Sequence, residues 1–440
     1  MRFPQRPPAA AELVTVDVAK VLRHVSPVLP DGRYLHWDDL RSRAAPAGLT
    51  KREWWFAQMI GRQAARVEIP TLTDADGLPF WFCRLEAIDR ATHELDRRDA
   101  AREMLEALGD EAARHAYRID QLVEEAISSS VLEGATLTTR AEAKEIIRDG
   151  RKPGSHGERM VVNNYKAMVQ LLAMTGRDLT TADLLEIHAV LGADSLDVAD
   201  AAGRLRRPDE PVRVEDAQTG EVWFTPPQAV SLPALLDKML AFANSGDESE
   251  PFVHPLVRAI VLHFWMAYLH PFVDGNGRMA RALFYWQLLR SGYDFAQYLS
   301  ISGPIDRSRR SYYLAFAYTE TDHGDLTYFV LHQLSVLRRA TGELVEHLKD
   351  RSARLRHLTT AVRGAESLNH RQQAALMFVI RNPHLGLTVT GHGNSHSVSY
   401  LTARKDLQEL ESGGYLTRVR VGRTDRYLPR DKLTSLKGTR

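Results

Sequence analysis

The sequence predicts a mainly α-helical protein with one β-hairpin near its middle and a smaller helix-plus-hairpin unit at its C-terminus. Three observations carry this reading. Apolar residues recur at helical spacing through most of residues 111–350, as in "ADLLEIHAVL" and "LPALLDKMLAFA". One stretch breaks that pattern: "PVRVEDAQTGEVWFTPP", Pro211 to Pro227, alternates, turns at Thr219-Gly220, alternates again and stops at a double proline. Residues 365–440 show a helix, a turn, a second helix and then an alternating basic run around Gly422.

Composition sets the frame for these elements. The chain has 440 residues, 44% hydrophobic and 26% charged, which is ordinary for a globular protein of two or three domains. A net charge of +1 argues against a chain that coats nucleic acid along its whole length. Cys83 is the single cysteine, so a disulfide framework within the chain is excluded and a cysteine-based zinc site is not expected. The start "MRFPQRPPAAAELVTVDVAK" has no long apolar segment, and no run reaches the ~18 apolar residues that span a bilayer. A reducing, cytoplasmic location is expected, with no membrane contact.

Residues 1–110 are rich in aromatics ("YLHWDDL", "KREWWF", "PFWF"), which reads as a helical cap packed on the core. Within residues 111–350, "EEAISSSVLEGATLT" (Glu124 to Thr138) forms a helix near 121–135. Ser129 and Glu133 fall one turn apart on one face, and Gly134 stops the helix. "PLVRAIVLHFWMAYL", Pro255 to Leu269, is apolar on nearly every side and suits a buried helix. His270-Pro271 ends it. "DGNGR" then forms a tight loop, and "RMARALFYWQLLRSG" resumes a helix that stops near Gly292.

That loop gathers much polar chemistry between two core helices. A helix N-terminus with glycine-rich approach is an anion site. Arg278 and Arg281 are three apart and so lie near each other, which suits several phosphates at once. Asp274 is a hard oxygen ligand suited to Mg²⁺ held jointly with substrate phosphates. His270 titrates near neutrality and is the natural general base.

The stretch "HPFVDGNGRMAR", His270 to Arg281, resembles the signature of Fic-domain proteins, HPF-x-(D/E)-GN-(G/K)-R-x-x-R, at every specified position. The resemblance implies a Fic-type helical core, Mg²⁺ as cofactor, and transfer of AMP from ATP to a Tyr, Thr or Ser hydroxyl of a target protein and of the chain itself. By it, His270 deprotonates the hydroxyl and Asp274 holds the metal. Phe272, Gly275, Asn276 and Gly277 line the nucleotide site, Arg278 contacts the β-phosphate and Arg281 the γ-phosphate. "GRLR", Gly203 to Arg206, and the hairpin after it resemble the family's flap, with Val212, Val214, Val222 and Phe224 as candidates for docking an extended target segment. "YLSISGPIDRSRRSYYLAF" and "GDLTYF" resemble the helices after the motif, so the likeness covers about 115–340.

Upstream, Ser129 to Gly134 resembles the inhibitory motif (S/T)-x-x-x-E-(G/N) of the class with an internal N-terminal inhibitory helix. The implied device is competition: Glu133 pairs with Arg281 and withholds it from the γ-phosphate. Residues 368–440 carry 12 Lys+Arg against 5 Asp+Glu, so this segment is about +7 and the rest of the chain about −6. They resemble a winged helix-turn-helix of the transcriptional-repressor type, with Ser399, Thr402, Arg404, Lys405, Arg423 and Arg426 as candidate DNA contacts. The partners so implied are ATP, a protein bearing an exposed hydroxyl and, as options, DNA and a second copy of the chain. Three other readings stay open: removal of AMP, transfer of another nucleotide, and an ATP-sensing DNA-binding regulator.

Overall fold

The computed structural model describes residues 2–9, 12, 17–97, 111–136, 143–144, 146–147, 151–215, 219–246, 248–365, 367–381, 386–421 and 424–430. Two compact units separate, residues 1–98 with 118–342 and residues 99–117 with 343–440. The division falls inside the helices Glu111–Leu132 and Thr327–Arg363. It differs from the boundaries expected from sequence, because residues 1–98 share a unit with the central helices.

Elements are numbered here in chain order, counting helices of more than four residues. The first unit begins with α1 (Lys51–Ala64), started by a reciprocal cap between Thr50 and Glu53. The strands β1 (Arg66–Thr73) and β2 (Pro79–Cys83) follow and pair antiparallel, with Arg66 opposite Cys83. The expected helical cap thus also holds a two-stranded hairpin. Its cause is local: the Asp74 carboxylate accepts from the backbone N–H groups of Asp76 (2.9 Å) and Leu78 (2.8 Å), and Gly77 takes φ 79°. After α2 (Glu86–Asp96), the hairpin and α1 remain tied to the core by Arg62. That side chain is buried between the rings of Tyr34 and Trp55 and donates to Asp322 (3.1 Å) and to the Tyr328 hydroxyl (2.7 Å).

Next come α3 (Glu111–Leu132), α4 (His156–Leu172) and α5 (Thr181–Gly192). The short strands β3 (Val214–Glu215) and β4 (Val222–Phe224) pair antiparallel. Among the described residues the ladder pairs Val214 with Phe224 and Glu215 with Val222, inside the stretch Pro211–Pro227 that suggested it. Helices α6 (Leu232–Asn244), α7 (Pro255–Leu269) and α8 (Asn276–Arg290) lead to the centre of the unit. Nearly every residue of α7 and α8 is buried, which explains why their sequence shows no polar face. Helices α9 (Ser302–Arg307), α10 (Arg309–Thr321) and α11 (Thr327–Arg363) follow.

The second unit holds α12 (His370–Arg381), α13 (Val389–His396), α14 (Tyr400–Ser412) and the antiparallel strands β5 (Leu416–Val421) and β6 (Thr424–Pro429). Val362, Leu376, Val379, Leu407, Leu410 and Leu416 are in its core. Asp406, almost fully buried, is held by Arg371 (2.7 Å) and Asn369 (3.1 Å). The short helix α13 escaped the sequence reading because "VTGHGNSH" carries two glycines. No described helix is long and apolar enough to cross a membrane.

Candidate active site

The loop between α7 and α8 is shaped by its own residues. His270 closes α7 in the left-handed region, with φ 47°, and Gly275 opens α8 with φ 84°. The left-handed backbone is what calls for glycine at 275, since a methyl there would make only ordinary contact, 3.4 Å from both Arg278 Nη2 and His188 Nε2. The Asn276 side chain is a staple across the loop: its Nδ2 donates to the Phe272 carbonyl (2.8 Å) and its Oδ1 accepts from the Phe272 N–H (2.9 Å). The amide is therefore fully engaged within the loop, and only the Asn276 backbone is left to line an anion site. Phe272 is buried and stacks flat on His188, with centroids 3.7 Å apart. It supports the loop from beneath.

The ring of His270 is held in one orientation. Its Nδ1 lies 3.0 Å from the Ala267 carbonyl, which places the proton on Nδ1 and leaves Nε2 as the basic nitrogen. Burial lowers the pKa of the ring below the ordinary imidazole value, with the Ala267 carbonyl and Glu133 opposing that shift. The ring is neutral at pH 7 and able to accept a proton. Arg206, also buried, donates through Nε to the His270 carbonyl (2.8 Å) and through its backbone N–H to the Pro271 carbonyl (2.9 Å); its Nη2 reaches the Pro227 carbonyl. It thus ties the α7–α8 loop to the end of the β-hairpin.

The two arginines part company. Arg278 is wholly buried, with Nη1 3.3 Å from the Leu191 carbonyl and Nη2 3.5 Å from Asp274 Oδ2. The sequence spacing suggested two guanidinium forks side by side above the loop; here one is turned inward toward α5. Arg281 faces α3. Its Nε donates to Ser129 Oγ (2.8 Å), and its Nη2 donates to the Ser129 carbonyl (2.8 Å) and to Glu133 Oε1 (3.0 Å). Burial disfavours its charge, yet Glu133 opposite leaves the guanidinium pKa raised overall. Glu133 directly follows the last residue of α3, Leu132, and Gly134 comes next with φ 88°. Asp274 is half exposed, and its Oδ1 takes the Gly275 N–H at 2.5 Å.

Residues 178–288 match a family model described as Fic/DOC family. The chain carries a Fic/DOC family domain. Its helical fold agrees with a crystal structure of a Fic family protein from Desulfovibrio desulfuricans G20, with TM-score 0.52 at 23% identity, covering 82% of this chain and 99% of that one. Protein adenylyltransferase Fic of Drosophila melanogaster is 29% identical over 217 residues, 48% of this chain and 39% of that protein. The Drosophila yakuba protein of the same name is 30% identical over 213 residues, 47% of this chain and 39% of its own length. The chain thus spans about two-fifths of the length of the curated relatives it matches.

Several supports of the Fic domain's site were not singled out from sequence. His188 on α5 accepts the Gly203 N–H at Nδ1 (3.1 Å) and donates from Nε2 to the Asp274 carbonyl (2.9 Å). Glu125, two turns before Glu133, is buried and accepts from Ser302 N (2.8 Å) and Ser300 Oγ (3.1 Å), so it pins α3 to the start of α9. On the hairpin, Phe224 packs on Tyr268 with centroids 5.0 Å apart, which makes it an anchor to the core, and Trp223 meets Phe3 edge-on at 5.5 Å. Val212 and Val214 are partly buried, while Val222 is exposed. In the second unit, Ser399 caps α14, its Oγ accepting the Thr402 N–H (3.2 Å) and lying 2.9 Å from the Thr402 hydroxyl. Arg404 and Lys405 are exposed, Arg426 is partly buried, and Arg423 lies outside the described residues.

Burial of two histidines gives the domain an acid sensitivity. His36 and His188 are each pushed down to about 4 by burial. Both stay neutral in the folded protein while the unfolded chain takes up their protons near pH 6.5. The unfolded state then binds more protons, so stability falls as pH drops from about 6.5 to about 4. Thermal melts across that window are expected to show a falling Tm, with a shallower fall in His188→Gln; equal slopes would rule His188 out.

Proposed function

We propose that the chain is a protein adenylyltransferase that moves AMP from ATP to a protein hydroxyl, held in check by Glu133. The observation that carries the proposal is the pairing of a buried, cationic Arg281 on α8, the helix that begins just after the His270 loop, with Ser129 and Glu133 at the C-terminal end of α3. Attack at the α-phosphate requires positioning and charge neutralisation more than covalent catalysis by the protein. His270 Nε2 accepts the proton of the incoming hydroxyl as its oxygen bonds to the α-phosphorus and the bond to the β-phosphate breaks, so that pyrophosphate leaves. The N-terminus of α8 and the Gly275 to Gly277 backbone receive phosphate oxygens. Arg281 holds the γ-phosphate once Glu133 has left it.

Asp274 fits a divalent cation, being a half-exposed carboxylate at the mouth of this loop. Among the described residues no group of three or more His, Cys, Asp or Glu is placed to hold a metal. Asp274 would therefore hold Mg²⁺ together with substrate phosphates, and the ion would supply neutralisation of phosphate charge. Labelled ATP incubated with the wild type and with Glu133→Gly tests the proposal, as argued in the Discussion. The partly exposed Glu133 carboxylate, near enough to raise the His270 pKa, keeps removal of AMP by a positioned water as the second reading.

For the second unit we propose a winged helix that contacts DNA through α14 and the β5–β6 hairpin. The exposed Arg404 and Lys405 on α14 support this. A duplex should bind with an affinity that drops steeply between low and moderate salt, and Arg404→Ala with Lys405→Ala should flatten that slope. A salt-independent affinity, or none, would assign this unit to protein contacts.

A further inference from the structure

Gly277 is the second residue of α8, one helical turn before Arg281. Its backbone is helical, so nothing in its conformation calls for glycine, and alanine is the better helix former. A methyl group at this position would lie 2.2 Å from Glu133 Oε1, 2.8 Å from Glu133 Cδ and 3.0 Å from Glu133 Oε2. These are the three nearest atoms it would meet, and all belong to one carboxylate. A separation of 2.2 Å is far inside van der Waals contact.

We infer that Gly277 is the seat of the lock: its missing side chain is what admits the Glu133 carboxylate to the first turn of α8, where that carboxylate also reaches Arg281. The inference rests on the proposed function and adds a second half to its inhibitory device. The pair with Arg281 supplies attraction, and the bare face of Gly277 supplies room. The carboxylate lies where the free N–H groups and the positive end of the helix favour an anion, so it occupies ground that an incoming phosphate would otherwise take. Because the clashing atoms end a flexible side chain, a methyl at 277 displaces Glu133 and leaves the helix in place.

The consequence is a gain of activity from adding a methyl group in the nucleotide loop with Glu133 still present. Gly277→Ala is expected to raise incorporation of labelled AMP at least about fivefold over wild type, the low end of a regulatory coupling. A thermal cycle reads the same contact without using activity. Gly277→Ala lowers Tm by roughly 2–4 °C in the wild-type background and does not lower it in the Glu133→Gly background, where nothing remains to be displaced. Equal Tm shifts in both backgrounds would overturn the inference. So would the absence of a gain from Gly277→Ala where Glu133→Gly gains. Should Glu133→Gly itself fail to gain, the proposed lock has failed, while a background-dependent Tm shift would still support the seating of Glu133 on Gly277.

Discussion

Glu133→Gly is expected to label itself with AMP from Mg-ATP about 5- to 150-fold faster than the wild type, the span of a 1–3 kcal/mol coupling. The ground for this is the geometry of Arg281, which is 3% exposed and spends one donor on Glu133 Oε1 at 3.0 Å. While that contact holds, the guanidinium is directed at α3. Loss of one member of a fully buried pair costs about 3–5 kcal/mol of stability. The cost here is smaller, because Glu133 is 24% exposed and Arg281 keeps the Ser129 hydroxyl and carbonyl. The variant should therefore fold, with a modestly lower Tm, and its gain should come from the freed Arg281. Initial rates with radiolabelled ATP measure the effect. A rate equal to wild type would remove the lock from the account.

In the Glu133→Gly background, removal of His270 should lower transfer by about 10²–10⁴-fold, the usual worth of a positioned base, with ATP affinity nearly unchanged. The ring is aimed by the Ala267 carbonyl and does not support the α7–α8 loop through any other side-chain hydrogen bond among the described residues. Because residue 270 sits at φ 47°, alanine there adds backbone strain, whereas asparagine tolerates the left-handed region. His270→Asn is therefore the cleaner variant, and comparison of the two separates lost chemistry from lost structure. Isothermal titration with ATP and single-turnover transfer would be measured on the same samples. Matching losses in binding and transfer would move His270 from base to scaffold.

Much of this site was legible because the loop is local. From His270 to Arg281 each residue type has its own job within twelve consecutive positions, and α7 announces itself by a nearly unbroken apolar sequence. The orientation of Arg278 was not legible for the same reason. In a helix buried on all sides the polar residues mark no single face, so spacing alone set Arg278 beside Arg281 when one turns to Leu191 and the other to Ser129. The inward role of the Asn276 side chain was hidden similarly, since an amide in a glycine loop serves a ligand or the loop itself with equal ease. The partners of Arg281 lie some 150 positions upstream, and only the resemblance of Ser129 to Gly134 to an inhibitory motif joined them. His188 and Glu125 act on groups of distant segments, which leaves no periodic or motif signal. The β1–β2 hairpin did carry one, the turn "DADG" between two apolar runs, but the aromatics of "PFWF" suited a helical packing surface as well.

The central claim is that this loop transfers a nucleoside monophosphate with His270 as base and Glu133 as brake. Intact-mass and peptide-level mass spectrometry on Glu133→Gly and on Glu133→Gly with His270→Asn, each incubated with Mg²⁺ and ATP, GTP, CTP or UTP in turn, tests it most directly. The account predicts AMP esterified to a Tyr, Thr or Ser hydroxyl in the first protein, with ATP preferred, and no addition in the second. No addition in either, or the same addition in both, would contradict it.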